Sequence, residues 1–227
     1  MESISHLLYL LYPPTCLICR EPGESLCRTC DYKIMRPNRC CQIGKLTIWS
    51  GALYGDELAK VIVAAKDQNS APARNILVQM LFSALTEAYI ELDIDAGIAL
   101  IPIPSSPSAN RRRGFRHAFL LSKALAHMAG KKGNREIRFL ELLRVNRKVV
   151  DQSALNRAER IQNVGGAYSA HTLKARGIGQ ARQSVCFLVD DLITTGSTVL
   201  EGERALKEAG ISVVGALCAG VSPRLIT

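Results

Sequence analysis

Residues 185–189 are five consecutive apolar positions, rich in β-branched and aromatic side chains and bounded by polar ones. That pattern predicts a strand buried on both faces of a parallel sheet. Two acids, Asp190 and Asp191, stand at its carboxyl end. From Thr198 the string T-V-L-E has the form of a capping box with Thr198 and Glu201 as partners, which predicts a helix from about Thr198 to Ala209 with Gly210 as its stop. The apolar stretch 211–218 is the next strand. Upstream, 46–55 reads as one or two short strands. Residues 56–68 place Leu58, Val61, Ile62 and Ala65 at helical spacing, in a helix that ends at Lys66. Residues 71–92 form a second, longer amphipathic helix, and 97–104 a strand that Pro102 and Pro104 break into a loop. A helix over 115–130 follows, with Phe119, Ala126 and the leucines inward. Alternation of this kind gives an α/β fold, a parallel sheet with helices on both faces.

The turn after the acids carries the chemistry. A loop between strand and helix presents free amides at the positive end of the helix, where a phosphate is held. Gly196 lets the backbone approach a ligand, and Thr194, Thr195, Ser197 and Thr198 add hydroxyl donors. Carboxylates beside an anion cradle repel phosphate unless something lies between. Sugar hydroxyls meet both demands, because an acid accepts from a vicinal diol. A ribose 5-phosphate therefore fits the two halves of the motif, and Mg²⁺ at the adjacent acids is the alternative occupant. No G-x-x-x-x-G-K-[ST] occurs, and Gly177 with Gly179 lacks the rest of a dinucleotide fingerprint.

Composition narrows the class. With 227 residues, 48% apolar and 22% charged, the chain suits one substantial domain plus a small appendage. No apolar run approaches the ~18 residues of a membrane span, so no membrane insertion is expected. The N-terminus lacks a basic region and a small-residue cleavage site, so the expected location is the cytoplasm.

Six of the eight cysteines crowd into residues 16–41. Cys16 with Cys19 and Cys27 with Cys30 form two C-x-x-C pairs seven residues apart, the spacing of a tetrahedral zinc site. Zinc here is structural, because residues 13–45 hold too few large apolar side chains to fold alone. The expected division is a zinc finger over 1–45 and the main domain over 46–227. Adjacent Cys40 and Cys41 cannot make a knuckle; one is buried or replaces a ligand.

The net charge of +9 is concentrated. Residues 111–183 hold seventeen Lys and Arg against four Asp and Glu, a local +13. Arg111, Arg112, Arg113 and Arg116 open this segment, which continues through Lys131, Lys132, Arg135, Arg138, Arg144, Arg147, Lys148, Arg157 and Arg160. Lys131 and Lys132 read as solvated surface. The arginine run beside a strand terminus either neutralises a pyrophosphate or tracks a nucleic-acid backbone.

The string V-D-D-L-I-T-T-G-S-T, 189–198, resembles the signature of type I phosphoribosyltransferases. That resemblance implies that the loop holds the 5-phosphate of phosphoribosyl pyrophosphate, that Asp190 and Asp191 hold its ribose and act at the reacting centre, that Ser105 and Ser106 begin a pyrophosphate loop, and that Mg²⁺ assists. With the C-x-x-C pairs, Y-G-x-x-L at 54–58 followed by Lys66, I-P-I-P at 101–104, R-R-G-F at 112–115 and the 152–168 motif, the order of motifs resembles the ComF family, phosphoribosyltransferase-like proteins linked to natural competence. Cys40 and Cys41 then resemble the remnant of a second knuckle, leaving one zinc. Family members usually continue R-G-F with Asn-Gln, whereas this chain has Arg116 and His117. His117 is either a phosphate contact or a helix-surface histidine. The family implies phosphoribosyl pyrophosphate binding in DNA uptake or utilisation, with single-stranded DNA and competence-machinery proteins as partners. The alternative is a phosphoribosyltransferase in purine or pyrimidine salvage, acting on an unidentified nucleobase without a DNA role. The sequence leaves the acceptor and the oligomeric state open.

Overall fold

The computed structural model describes residues 13–34, 39–132, 136–146, 166–171 and 184–226. The residues at 1–12, Arg135, Arg147, Lys148, Arg157, Arg160 and most of the 152–168 motif lie outside this set. Two cysteine-bearing turns lead into helix α1 (Arg28–Ile34), a hairpin of β1 (Arg39–Ile43) and β2 (Leu46–Leu53), and helices α2 (Asp56–Lys66) and α3 (Ala71–Glu91). Next come β3 (Gly97–Pro102), α4 (Pro107–Arg113), α5 (His117–Lys132), and the short strands β4 (Ile137–Phe139), β5 (Leu143–Val145) and β6 (Tyr168–Ala170). β7 (Ser184–Ile193), α6 (Ser197–Glu208) and β8 (Gly215–Val221) complete the order.

One sheet runs β1-β2-β8-β7-β3-β4, parallel throughout except for the β1–β2 hairpin. β5 and β6 form a separate antiparallel ribbon. The continuous apolar runs of the central strands follow from burial on both faces. Along β7, Phe187 and Val189 enter the core beneath α2, α3 and α5, while Cys186 and Leu188 enter the core beneath α6 and the β5–β6 ribbon. Neighbouring strands repeat that parity: Trp49, Ile98, Leu100 and Leu217 pack on the first side, Ile48, Ala99, Ile101 and Ala216 on the second. Helices on both faces of a mostly parallel sheet agree with the sequence reading.

Several local expectations are corrected. β7 continues through the acids to Ile193, because Asp190, Leu192 and Ile193 pair with Cys218, Gly220 and Val221 of β8. β8 starts at Gly215 rather than 211, since residues 211–214 bring the chain back from α6 to the sheet, where Val214 N–H donates to the Cys186 carbonyl at 3.0 Å. α6 has no capping box: Gly196 stands at its N-cap and no side chain closes it. Glu201, 5% exposed, instead accepts from the Tyr168 amide at 3.0 Å and from Arg204 Nε at 2.8 Å, fixing β6 to α6. A long-range pair outweighs the local one. The helix predicted at 115–130 runs from His117 to Lys132, with Leu121, Leu125 and Ala129 buried and Phe119 packed edge-on against Phe139. Finally, β1 joins the main sheet, so Cys40 and Cys41 sit on an edge strand.

Candidate functional site

The carboxyl ends of β3 and β7 open onto a cleft of about 580 Å³. Open α/β sheets bind ligands at this end of their strands. The loop from Thr194 to Thr198 forms one wall, with Asp190 and Asp191 beside it; Lys66 reaches in from the end of α2, and Ser105, Ser106, Arg112 and Arg113 come from the segment after β3. Tyr54 and Tyr168, which the sequence offers only as the first and last residues of two motifs and not as site residues, also line it.

The segment after β3 is a helix where sequence reading saw only a loop. Ser106 Oγ accepts from the Ala109 amide at 3.2 Å, Pro107 occupies the first turn and Gly114 ends α4, a standard set of helix boundaries. The arginine run is thereby placed in the last turn. Arg113 Nε donates to Asp67 Oδ1 at 3.2 Å, and Arg112 faces the cleft. Arg111 and Arg116 do not line this cleft. Arg116 pairs with Glu141, lies 4.0 Å above the Phe119 ring and borders a neighbouring groove of about 210 Å³.

Charge in the cleft is ordered by a few contacts. Lys66 Nζ donates to Asp191 Oδ2 at 3.0 Å, and His117 Nε2 lies 3.4 Å from the same oxygen. Burial works against the Asp191 carboxylate, but Lys66 and His117 outweigh it and hold its pKa below the usual carboxylate range. Burial likewise opposes the Lys66 ammonium, and the two carboxylates override it and raise the lysine pKa. Asp190 goes the other way. Burial and the charge of Asp191 push it well above the ordinary value. One acid of the pair is thus charged at rest while the other retains its proton more strongly.

His117 is 1% exposed, which corrects the helix-surface alternative. The burial follows from its place at the start of α5, directly behind the R-G-F turn, under the acidic end of β7. No periodicity in the sequence signals it.

Gly196 has φ +78°, and a Cβ there would stand 2.3 Å from Ile43 Cδ1 of β1. The edge hairpin therefore presses on the loop. Gly196→Ala is expected to lower the melting temperature, the left-handed backbone alone costing ~1–2 kcal/mol, or roughly 2–8 °C for a chain of this size. Gly44→Ala, at φ +64° with open space around it, is the control without the clash. Calorimetric scans that rank the two variants equally would contradict the contact.

In the N-terminal segment the sulfur atoms of Cys16, Cys19, Cys27 and Cys30 all lie within 4.8 Å of one another, with Cys19 Sγ and Cys27 Sγ 3.6 Å apart. Tetrahedral zinc with bonds of ~2.3 Å places its sulfurs ~3.8 Å apart, so the four residues fit the ion. Burial opposes the Cys16 thiolate, but amides of Cys27, Cys19 and Ile18 bring its pKa down to about 6. Burial and the neighbouring thiols push Cys30 up to about 12. Cys40 and Cys41 are outside this group, which is the one four-cysteine cluster among the described residues.

The Cys₄ knuckle is not separate from the sheet domain. Cys16, Ile18, Cys30 and Ile34 belong to the core shared with α2 and α3, and Lys60 Nζ of α2 donates to the Ile18 carbonyl at 3.1 Å.

A double zinc ribbon domain model matches residues 7–58. Competence protein F of Haemophilus influenzae is 28% identical over 167 residues, covering 71% of this chain and 66% of that protein. Competence protein ComFC of Bacillus subtilis is 25% identical over 205 residues, covering 86% of this chain and 72% of that one. The matches thus span about two thirds of the length of these relatives. Fold and cysteine cluster together define a zinc-ribbon-bearing α/β protein with a mostly parallel sheet, and the metal is structural zinc. Over most of its length the chain is similar to these two competence proteins.

Proposed function

We propose that the cleft binds phosphoribosyl pyrophosphate and that the protein acts in DNA uptake or DNA utilisation. The observation that carries this reading is the meeting, in one cleft, of an acidic pair, a hydroxyl-rich loop at a helix N-terminus and a basic helix end. The loop from Thr194 to Thr198 takes the 5-phosphate on free amides and hydroxyls. The acidic pair takes the ribose diol, and Ser105, Ser106, Arg112 and Arg113 face the pyrophosphate, with Mg²⁺ as the expected counter-ion. Transfer at such a site depends on positioning and on stabilising the departing pyrophosphate. A cytoplasmic location, and the competence role printed in the relatives' names, complete the reading.

A second reading is a working phosphoribosyltransferase in nucleobase salvage without a DNA role. The intact acids and loop serve both readings, and the +13 of residues 111–183 favours the one with DNA. Calorimetric titration with phosphoribosyl pyrophosphate, with and without Mg²⁺, tests the shared claim. Pyrophosphate release with a panel of nucleobases, with and without single-stranded DNA, separates the two.

The arginines give a sharper comparison. Replacing Arg111, Arg112 and Arg113 by Ala is expected to weaken single-stranded DNA binding for all sequences alike and to flatten its salt dependence, by roughly 0.7 in log–log slope per lost phosphate contact. A triple variant that keeps DNA affinity and slope but loses phosphoribosyl pyrophosphate assigns the run to the cleft and removes the main support for DNA binding.

A further inference from the structure

We infer, on the sugar-phosphate reading of the cleft, that Glu201 and Arg204 of α6 are positioning residues: they hold the β5–β6 ribbon as a wall of the cleft and so set Tyr168 beside Asp190 and the loop after β3.

The ribbon needs support from outside. Its strands are three residues each and, among the described residues, pair only with one another. A two-stranded ribbon is marginal in water by itself. Packing supplies part of the support, since Leu143 and Tyr168 enter the core that Val199 and Leu206 of α6 share with Leu188. Apolar packing is non-directional, so it does not fix which residue of the ribbon faces which residue of the helix.

Two hydrogen bonds fix that register. Glu201 Oε1 accepts from the Tyr168 amide at 3.0 Å, and Arg204 Nη2 donates to the Tyr168 carbonyl at 3.0 Å. An adjacent strand would make this pair of bonds to one residue of a ladder. Here two side chains three residues apart on one helix face make them instead. The two side chains are also locked to each other. Arg204 donates from Nη2 to Glu201 Oε1 at 2.7 Å and from Nε to Oε2 at 2.8 Å, a bidentate fork. Burial opposes the Glu201 carboxylate, but Arg204 and the backbone amides of Tyr168 and Gly166 hold its pKa below the ordinary value. The acceptor therefore stays charged.

What the pair places is Tyr168. Its hydroxyl donates to the Pro104 carbonyl at 3.4 Å, and the residue lines the cleft together with Asp190 and the loop from Thr194 to Thr198. Burial, and after it the charges of Asp190 and Glu201, keep the phenol protonated, so it remains a donor. Helix α6 starts at that same loop, with Glu201 about one turn further on. One rigid helix thus sets the spacing between the phosphate cradle and the ribbon wall. Val145 of the ribbon also borders the neighbouring groove of about 210 Å³, as do Ile103, Pro104 and Ser105, so a shift of the ribbon alters both cavities.

Amide hydrogen exchange on the full-length zinc-loaded protein tests the support without a ligand. In wild type the Tyr168 amide is expected to exchange as slowly as the amides in the middle of α6, and rapid exchange there overturns the role of Glu201. Glu201→Leu is expected to speed that exchange and to weaken phosphoribosyl pyrophosphate binding about tenfold by calorimetry, the worth of one hydrogen bond to a charged group. Glu201→Gln, whose side-chain oxygen can still accept from the Tyr168 amide, is expected to regain most of both. A Leu variant that binds like wild type overturns the ribbon as a wall of the site. A Gln variant as weak as Leu overturns residue 201 as the acceptor that positions Tyr168. Should Glu201→Leu fail to fold, the wild-type exchange rate and the Gln variant carry the decision. If wild-type protein does not bind phosphoribosyl pyrophosphate at all, the ligand reading of the cleft fails, and the exchange arm still decides whether α6 holds the ribbon.

Discussion

Changing Asp190 and Asp191 together to Asn is expected to weaken phosphoribosyl pyrophosphate binding by about 100-fold or more while the sheet stays folded. Each lost charge-assisted hydrogen bond is worth ~1.5–3 kcal/mol, and two such losses reach that factor. Fold is retained because Asn matches Asp in shape and because the flanking β7–β8 pairs at Leu192 and Ile193 are made by backbone. The double variant also leaves Lys66 facing amides only, so a modest drop in melting temperature accompanies the loss. Isothermal titration together with circular dichroism checks both halves. An unchanged dissociation constant removes the ribose from the acids.

Purified protein is expected to carry about one zinc per chain, read by mass spectrometry of the metal. Cys16→Ser or Cys30→Ser lowers that content and unfolds the N-terminal knuckle, because apparent binding energies of ~10–16 kcal/mol underlie folding in zinc-finger peptides. The damage extends beyond the knuckle, since both cysteines are buried in the core that α2 and α3 share. Cys40→Ser is the contrast, at an exposed position outside the cluster. A metal-free wild type with an intact, soluble fold contradicts the assignment. Two zinc ions per chain contradict the reading of Cys40 and Cys41 as a remnant.

What the sequence revealed and what it hid follow from the range of the forces involved. The strands around Phe187 and Leu100 were readable because residues buried on both faces leave an apolar run, and α2 because its burial pattern is periodic. The two C-x-x-C pairs were readable because a metal imposes ligand spacing. His117 was not, because its burial depends on where β7 ends, far away in sequence. Glu201 misled, since the capping-box pattern is local and its actual partners, Tyr168 and Arg204, include one brought in by tertiary packing. The start of α4 was legible in Ser106, Pro107 and Gly114, yet a loop expectation carried by the resemblance obscured it.

Helix α2 is held at two points: from its middle Lys60 grips the turn between Cys16 and Cys19 through the Ile18 carbonyl, and from its last turn Lys66 grips Asp191. Metal and sugar-phosphate equilibria that bear on one rigid element are thermodynamically linked, and linkage is reciprocal. Whatever factor zinc contributes to ligand affinity at the cleft, the bound ligand returns to zinc affinity, so a zinc ion that tightens ligand binding is itself held more tightly against a chelator at equilibrium when the cleft is saturated.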